Sequence, residues 1–412
     1  MISSLSIGLL PPFLILDSLK VVALLLYSCQ LFPVTLGQTL NIEVPVRVFK
    51  GITFVDNLTI DDFEVYEDEV LQKTEAVYLV KKTSIERREE KKRFSPETSR
   101  NFYLFFEVTE HTFKLGDAVS YFVKNVLVPG DNLAIITPVK TYRMKSQTLE
   151  VLPKEEVVDQ LKSIIRRDAV IGNTEYRNAV NDLTSLAREL SSSPDNQDSF
   201  TSGEFRGMEF DEKLTRYADL LRRLDHMRYV DQQKLLDFAE YLKDSEGQKN
   251  VFLFYQREFI PQIERRVLNQ YMSLNQDRQD ILFTLSELFD FYRRDITVDV
   301  NKVKQAYSDS SISMHFLFFT KPPQIIPGVY MAEHSGDVYS AFKEMAEATG
   351  GFTESSANPV SLFQNAVEAS ETYYLLYYSP LNYKRDGKFK QIKIKIKDKN
   401  YRISHRAGYF AN

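Results

Sequence analysis

The stretch Thr372-Tyr373-Tyr374-Leu375-Leu376-Tyr377-Tyr378-Ser379-Pro380 opens the part of this chain that decides its fold. It is followed by Asp386-Gly387-Lys388-Phe389, then Ile392-Lys393-Ile394-Lys395-Ile396-Lys397, then Arg406-Ala407-Gly408-Tyr409-Phe410. The region reads as a strand, a turn and a strand pair with one apolar face, and the tyrosines at 373, 374, 377 and 378 read as interior and inter-sheet packing. Asp386-Gly387 is a turn signal. The alternation that follows gives a strand with isoleucines on one face and lysines on the other. The lysines keep such a strand soluble and discourage edge-to-edge pairing. The sharper reading of the same row is a cationic face for anionic lipid, glycan or an acidic partner.

Working outward, residues 40–82 also read as strands. Ile42, Val44, Val46 and Val48 alternate, and Phe63-Glu64-Val65-Tyr66-Glu67 precedes an Asp68-Glu69 turn and Ala76-Val77-Tyr78-Leu79-Val80. These strands are too few to stand alone, so the C-terminal strands are expected to complete them as a β platform of residues 38–82 and 372–412. Residues 83–100 are crowded with Lys, Arg and Glu and read as a charged, solvated linker.

Between these ends the pattern changes. Phe102 to Val108, Leu133 to Ile136, Val251 to Phe254 and Ile312 to Phe319 are nearly continuous apolar runs. Val157/Val158/Leu161/Ile164/Ile165, Ile281/Leu285/Leu288/Phe289/Tyr292 and Val338/Ala341/Phe342/Met345 recur at helical spacing. Buried strands alternating with amphipathic helices predict an α/β fold, a doubly wound and mainly parallel sheet, over 101–371. Residues 178–250 are rich in helix formers and read as a helical insertion, interrupted by a Ser/Pro/Asp/Asn/Gly loop over 191–206.

The chain has 412 residues, 43% hydrophobic and 26% charged, with a net charge of -5, which argues against general nucleic-acid binding. Its one cysteine, Cys29, excludes an internal disulfide. Residues 1–37 read as an export signal, with apolar runs Leu9 to Leu16 and Val21 to Leu36 and a Thr35-Leu36-Gly37 cleavage pattern. Lipidation at Cys29 in Leu26-Tyr27-Ser28-Cys29 and an uncleaved anchor are the alternatives. All three place the folded part outside the cytoplasm: periplasmic, outer-membrane-associated or secreted. No later segment reaches the roughly 18 uninterrupted apolar residues that a spanning helix needs.

The terminal motifs together resemble the bacterial VWFA-related family, in which a von Willebrand factor A-like domain is joined to flanking β segments behind an export signal. Leu58-Thr59-Ile60-Asp61-Asp62-Phe63-Glu64-Val65-Tyr66-Glu67-Asp68, Val126-Leu127-Val128-Pro129-Gly130-Asp131-Asn132-Leu133-Ala134-Ile135-Ile136-Thr137 and residues 372–410 carry the resemblance. It implies a Rossmann-like, A-like domain with a small β domain built from both chain ends. It also implies a divalent cation, Mg²⁺, Mn²⁺ or Ca²⁺, held at the C-terminal strand ends by an Asp-x-Ser-x-Ser motif, a Thr and a later Asp. Here the matching positions are Glu107, Thr109 and His111, then Thr174, then Gln256 or its neighbours. Glu for Asp pushes a metal outward, and His111 offers nitrogen where hard oxygen is required. The cation site is therefore read as eroded, with no cofactor as the leading expectation. Glu107, Glu110, Gln256 and Arg257 are the candidate partner-binding residues.

No Gly-x-Ser-x-Gly elbow, P-loop or dinucleotide fingerprint occurs, and none of the five histidines has a metal-type spacing. The reading is therefore an exported, adhesion-type protein that binds another protein of the envelope or the exterior, and not an enzyme. A metal-free structural component of an envelope assembly is the alternative, and an unrecognised enzyme the remote one.

Overall fold

The computed structural model describes residues 40–412 apart from 146, 192–204, 206, 229, 292–297, 321, 327–328 and 398–400. The export signal, Cys29 and most of the 191–206 loop lie outside the described residues.

The described residues begin with β1 (Ile42–Lys50), β2 (Thr53–Phe54), β3 (Phe63–Glu67), β4 (Val70–Gln72), β5 (Thr74–Lys81) and β6 (Ser84–Glu90). It continues with β7 (Arg100–Glu107), α1 (Phe113–Tyr121), β8 (Asn132–Ile136), β9 (Thr141–Met144), α2 (Thr148–Val151), α3 (Lys154–Gly172), α4 (Thr174–Ser191), α5 (Phe210–Met227) and α6 (Gln232–Lys243). Then come β10 (Gln248–Gln256), β11 (Phe259–Gln262), α7 (Arg265–Leu274), α8 (Gln279–Phe291), α9 (Val300–Asp309), β12 (Ile312–Phe319) and β13 (Tyr330–Glu333). The last elements are α10 (Gly336–Ala348), β14 (Thr353–Ser356), α11 (Pro359–Glu371), β15 (Thr372–Tyr378), β16 (Phe389–Ile396), β17 (Arg402–His405) and β18 (Gly408–Phe410).

Two antiparallel sheets form a curled, half-barrel-like body. One has the order β17-β1-β15-β5-β6 with β2 beside β1, and the other β18-β16-β3-β4. The period-2 alternation explains how they face each other. Val44, Val46, Val48, Tyr374, Leu376 and Tyr378 of the first sheet share one core with Phe63, Val65, Ile392, Ile394, Ile396 and Tyr409 of the second. A two-residue turn joins β3 to β4, with Asp68 and Glu69 both left-handed at φ 46° and 64°, the geometry that matches strand twist.

A third sheet has the order β14-β12-β10-β7-β8-β9. Helices α1, α3 and α11 bury their apolar faces on one side of it, around Phe106, Phe122, Phe254 and Phe363. Helices α6, α9 and α10 cover the other side, around Phe316, Phe318, Val303 and Phe342. Helices α4, α5, α7 and α8 build a separate core around Leu183, Tyr217, Leu221 and Leu285, against the β11–β13 pair.

The expected fold class is corrected by this topology. Among the described pairings, four are parallel and ten antiparallel, so the chain is not a doubly wound, mainly parallel fold. The third sheet is itself mixed, because β9 closes it antiparallel to β8. Nor is the β part small, since its two sheets hold six and four strands. The physical reason is that an apolar run reveals burial but not the direction of its neighbour. Within the expected linker, Ser84–Glu90 forms the edge strand β6 on β5. Its charged residues suit an edge that faces water, and Glu90 accepts the hydroxyl of buried Tyr78 at 2.5 Å.

Candidate functional site

Strands β7, β10 and β12 run parallel and end at one edge of their sheet, where Tyr255 stands in register with Glu107 and Gln256 with Phe319. Strand ends of this kind are where open sheets present ligand-facing groups. Glu107 is the last residue of β7. Its side chain is exposed at the surface, although protein atoms lie close around its carboxyl. This burial, and then the charge of Glu258, push its carboxyl above the usual carboxylate range.

Gln256 is 5% exposed, and its amide oxygen organises the loop that follows β7. Oε1 accepts from the Thr109 amide at 3.1 Å, the Thr109 hydroxyl at 3.3 Å and the Glu110 amide at 3.3 Å. The position matched to an acidic metal ligand is thus a neutral clamp on the loop. Asn173, which caps α3, donates through Nδ2 to the carbonyls of Val108 and Ala169, both at 2.9 Å. That bond brings the end of α3 to the same edge. Thr112 accepts from the Leu115 amide at 3.3 Å and starts α1.

The structure therefore gathers Glu107, Thr109, Glu110 and Gln256, with the segment preceding Thr174 beside them. The hydroxyl of Thr174 is turned to its own helix and donates to the Val170 carbonyl at 2.9 Å. Burial, and then the charge of Arg166, hold the His111 imidazole below its usual range. Arg257 faces away from this loop, with Nε 3.0 Å from Glu333 Oε1 and its guanidinium over the Phe318 ring at 5.6 Å. As arranged, these groups do not fit a divalent cation. The Gln256 oxygen and the Thr174 hydroxyl are committed, and no described cluster of three or more His, Cys, Asp or Glu is placed to hold a metal.

Sequence reading missed the groups behind this edge. Arg228, at the end of α5, forms an ion pair with Glu258, each 9% exposed. Arg228 also donates to the His334 carbonyl at 2.8 Å, and the His334 amide donates to the Glu258 carbonyl at 3.2 Å. Burial first, and then the Glu258 carboxylate, raise the hydroxyls of Tyr176 and Tyr255 above their usual range. The only signal in the sequence was the polar run Gln256-Arg257-Glu258 directly after an apolar strand.

Around the edge the surface carries apolar side chains. Phe113 is 81% exposed, Ile171 58% and Val139 45%, and the Pro138-Val139 turn packs on Gly172. A hollow of about 570 Å³ beside them is lined by Ile171, Thr174, Glu175, Asn178, Asp182 and Arg223. On the half-barrel, the lysine row is engaged locally. Lys393 lies 3.5 Å from Glu69, and Lys395 sits 4.8 Å over the Tyr66 ring.

No family model matches the chain, and no curated protein matches it. Among solved structures it aligns with the human COPII-coat protein Sec24c over 77% of its length at 8% identity, with a TM-score of 0.30. The alignment spans 44% of that protein, and a likeness this low carries no argument. Among the described residues, no helix is long and apolar enough to cross a membrane.

Proposed function

We propose that this chain is a protein-binding module of the adhesion type, which contacts its partner at the edge where β7 and β10 end. The observation that carries the reading is the loop 109–113. Buried Gln256 fixes its backbone, Glu107 borders it, and it leads into Phe113, which is 81% exposed. An ordered loop that presents an aromatic beside a carboxylate loses little entropy on binding and supplies the kind of anchor that dominates protein contacts. The resemblance to VWFA-related proteins supports the same edge and an exported location, with a partner in the envelope or outside the cell. Contact in this reading needs no cation, because Gln256 Oε1 and the Thr109 and Thr174 hydroxyls are engaged within the protein.

The test places a photo-crosslinking amino acid at Phe113 and, separately, at Leu381, which is 64% exposed on the half-barrel. Each chain is irradiated with envelope extract from the source cells. A discrete adduct from position 113, absent from position 381 and lost on Glu107→Lys, supports the proposal. Equal yields at both positions, or no adduct at 113, overturn it.

A further inference from the structure

The seam between the half-barrel and the mixed sheet holds three buried donors with no acceptor among the described residues. Arg47 on β1 is 4% exposed, Tyr373 on β15 is 2% exposed and His315 on β12 is 1% exposed. Among the described residues, Arg47 Nε, Tyr373 Oη and His315 Nε2 have no hydrogen-bond partner. The tautomer of His315 follows from its other nitrogen. Nδ1 lies 3.2 Å from the Phe352 amide and accepts from it, so the proton of the neutral ring is on Nε2. All three orphaned atoms are therefore donors.

Arg47 lies beside each of the other two. Val46 pairs with Tyr374, so the next residues, Arg47 and Tyr373, lie on one face of adjacent strands, and the guanidinium is 5.8 Å from the Tyr373 ring centre. Arg47 Nη1 donates to the Gly350 carbonyl at 3.1 Å, while His315 binds the Phe352 amide two residues further on. Arg47 and His315 thus grip the same short turn from two different sheets. The backbone is tight there. Gly350 is left-handed at φ 71°, and a Cβ on Gly351 would stand 1.7 Å from the Met314 carbonyl oxygen.

Charge completes the case. Arg47 has no carboxylate partner among the described residues, and a buried guanidinium without a counter-charge is costly. The Gly350 carbonyl that it reaches is already shared with the Ser404 hydroxyl at 2.6 Å. Burial lowers the Arg47 guanidinium to about 10. Burial, and then the charge of Arg47, hold His315 well below its usual range. Burial accounts for the first direction, and the positive charge of Arg47 contributes to the second.

We infer that Arg47, His315 and Tyr373 form a binding site for a small monovalent anion of the halide class, which locks the half-barrel to the mixed sheet. A halide accepts from all sides, donates nothing and brings the missing negative charge. Water would bring no charge. The seam is closed to solvent, with each of the three side chains at most 4% exposed, which favours the smallest anions.

The experiment compares thermal unfolding of the full chain in sodium chloride and in sodium gluconate at equal ionic strength, and soaks crystals in bromide. Chloride raises the melting temperature along a saturable single-site curve, and bromide gives an anomalous peak against Arg47 and His315. Tyr373→Phe keeps the core volume and weakens the chloride response. Arg47→Met, where it folds, abolishes it. Equal melting in the two salts overturns the inference, as does a chloride response whose bromide peak lies away from the seam.

Discussion

Tyr378 donates its hydroxyl hydrogen to Glu67 Oε2 across 2.7 Å, joining the two sheets of the half-barrel through a bond between residues 311 apart in sequence. Tyr409 donates to the same oxygen at 2.9 Å, so one buried carboxylate satisfies two tyrosines. Glu67→Ala leaves both hydroxyls without an acceptor and is expected to cost about 2–3 kcal/mol. Denaturant unfolding measures it. A loss within the scatter of surface substitutions would show that the clasp is not a structural element.

Glu107 gives a prediction whose sign depends on pH. Its folded carboxyl titrates above the usual value, so its contribution to stability is present below the unfolded value of 4.5 and lost as pH rises through the raised one. Glu107→Gln should therefore stabilise the chain at pH 7 by about 0.5 kcal/mol, a figure discounted for the carboxyl's contact with water, and change little at pH 4. A variant less stable at pH 7 than the parent would refute the argument.

Gln256→Ala removes the acceptor shared by the Thr109 and Glu110 amides. Those two amides should then exchange with deuterium about tenfold faster or more, as expected when about 1.4 kcal/mol of local closure is lost. Helix α1 should keep its protection. Unchanged exchange at both amides would mean that something else orders the loop.

Arg228 and Glu258 should behave as a unit. Removing only the cation by Arg228→Ala strands a buried carboxylate and is expected to cost about 3–5 kcal/mol. The double change Arg228→Met with Glu258→Leu should recover most of that loss. A double variant as unstable as the single one would show that the contact of Arg228 with the His334 carbonyl matters more than the charge pair.

Lys249 is 4% exposed and donates to the carbonyls of Leu242 at 3.0 Å and Ser245 at 2.8 Å. Burial, and then the charge of Arg406, lower its amine from 10.5 to about 8. Between those values the unfolded chain binds a proton that the folded chain has released, so stability rises with pH across that window. Comparing the parent with Lys249→Met at pH 7.5 and 9.5 isolates the effect. Parallel behaviour of the two chains would remove Lys249 as its source.

The sequence was readable where burial is continuous and local. Phe102 to Val108, Val251 to Phe254 and Ile312 to Phe319 lie in or along β7, β10 and β12, because an unbroken apolar run has few other places to go. Pairing direction was not readable. Val44 meets Leu376 across more than three hundred residues, and nothing local in either strand announces the partner. Ser84–Glu90 escaped notice because an edge strand shows only one lightly buried face, here Ile85, Arg87 and Glu89, in which a single apolar residue stands among charges. At the candidate site, Glu107 and Gln256 could be found as the polar residues that end apolar strands. The Arg228–Glu258 pair could not, because its halves come from a helix end and a strand end whose meeting is decided by the packing of α5.

The interleaving of β1 with β15 and β17 sets an order of events in synthesis. Every strand of the mixed sheet lies between residues 100 and 356, so that sheet has all its parts before β15 is made. Apart from the two-residue β2, strand β1 emerges from the ribosome more than three hundred residues ahead of its neighbours β15 and β17. Until then its valines have no permanent shelter, and closing so long a loop is slow. A cell that makes this protein must keep an early apolar strand from finding the wrong partner until the final strands arrive.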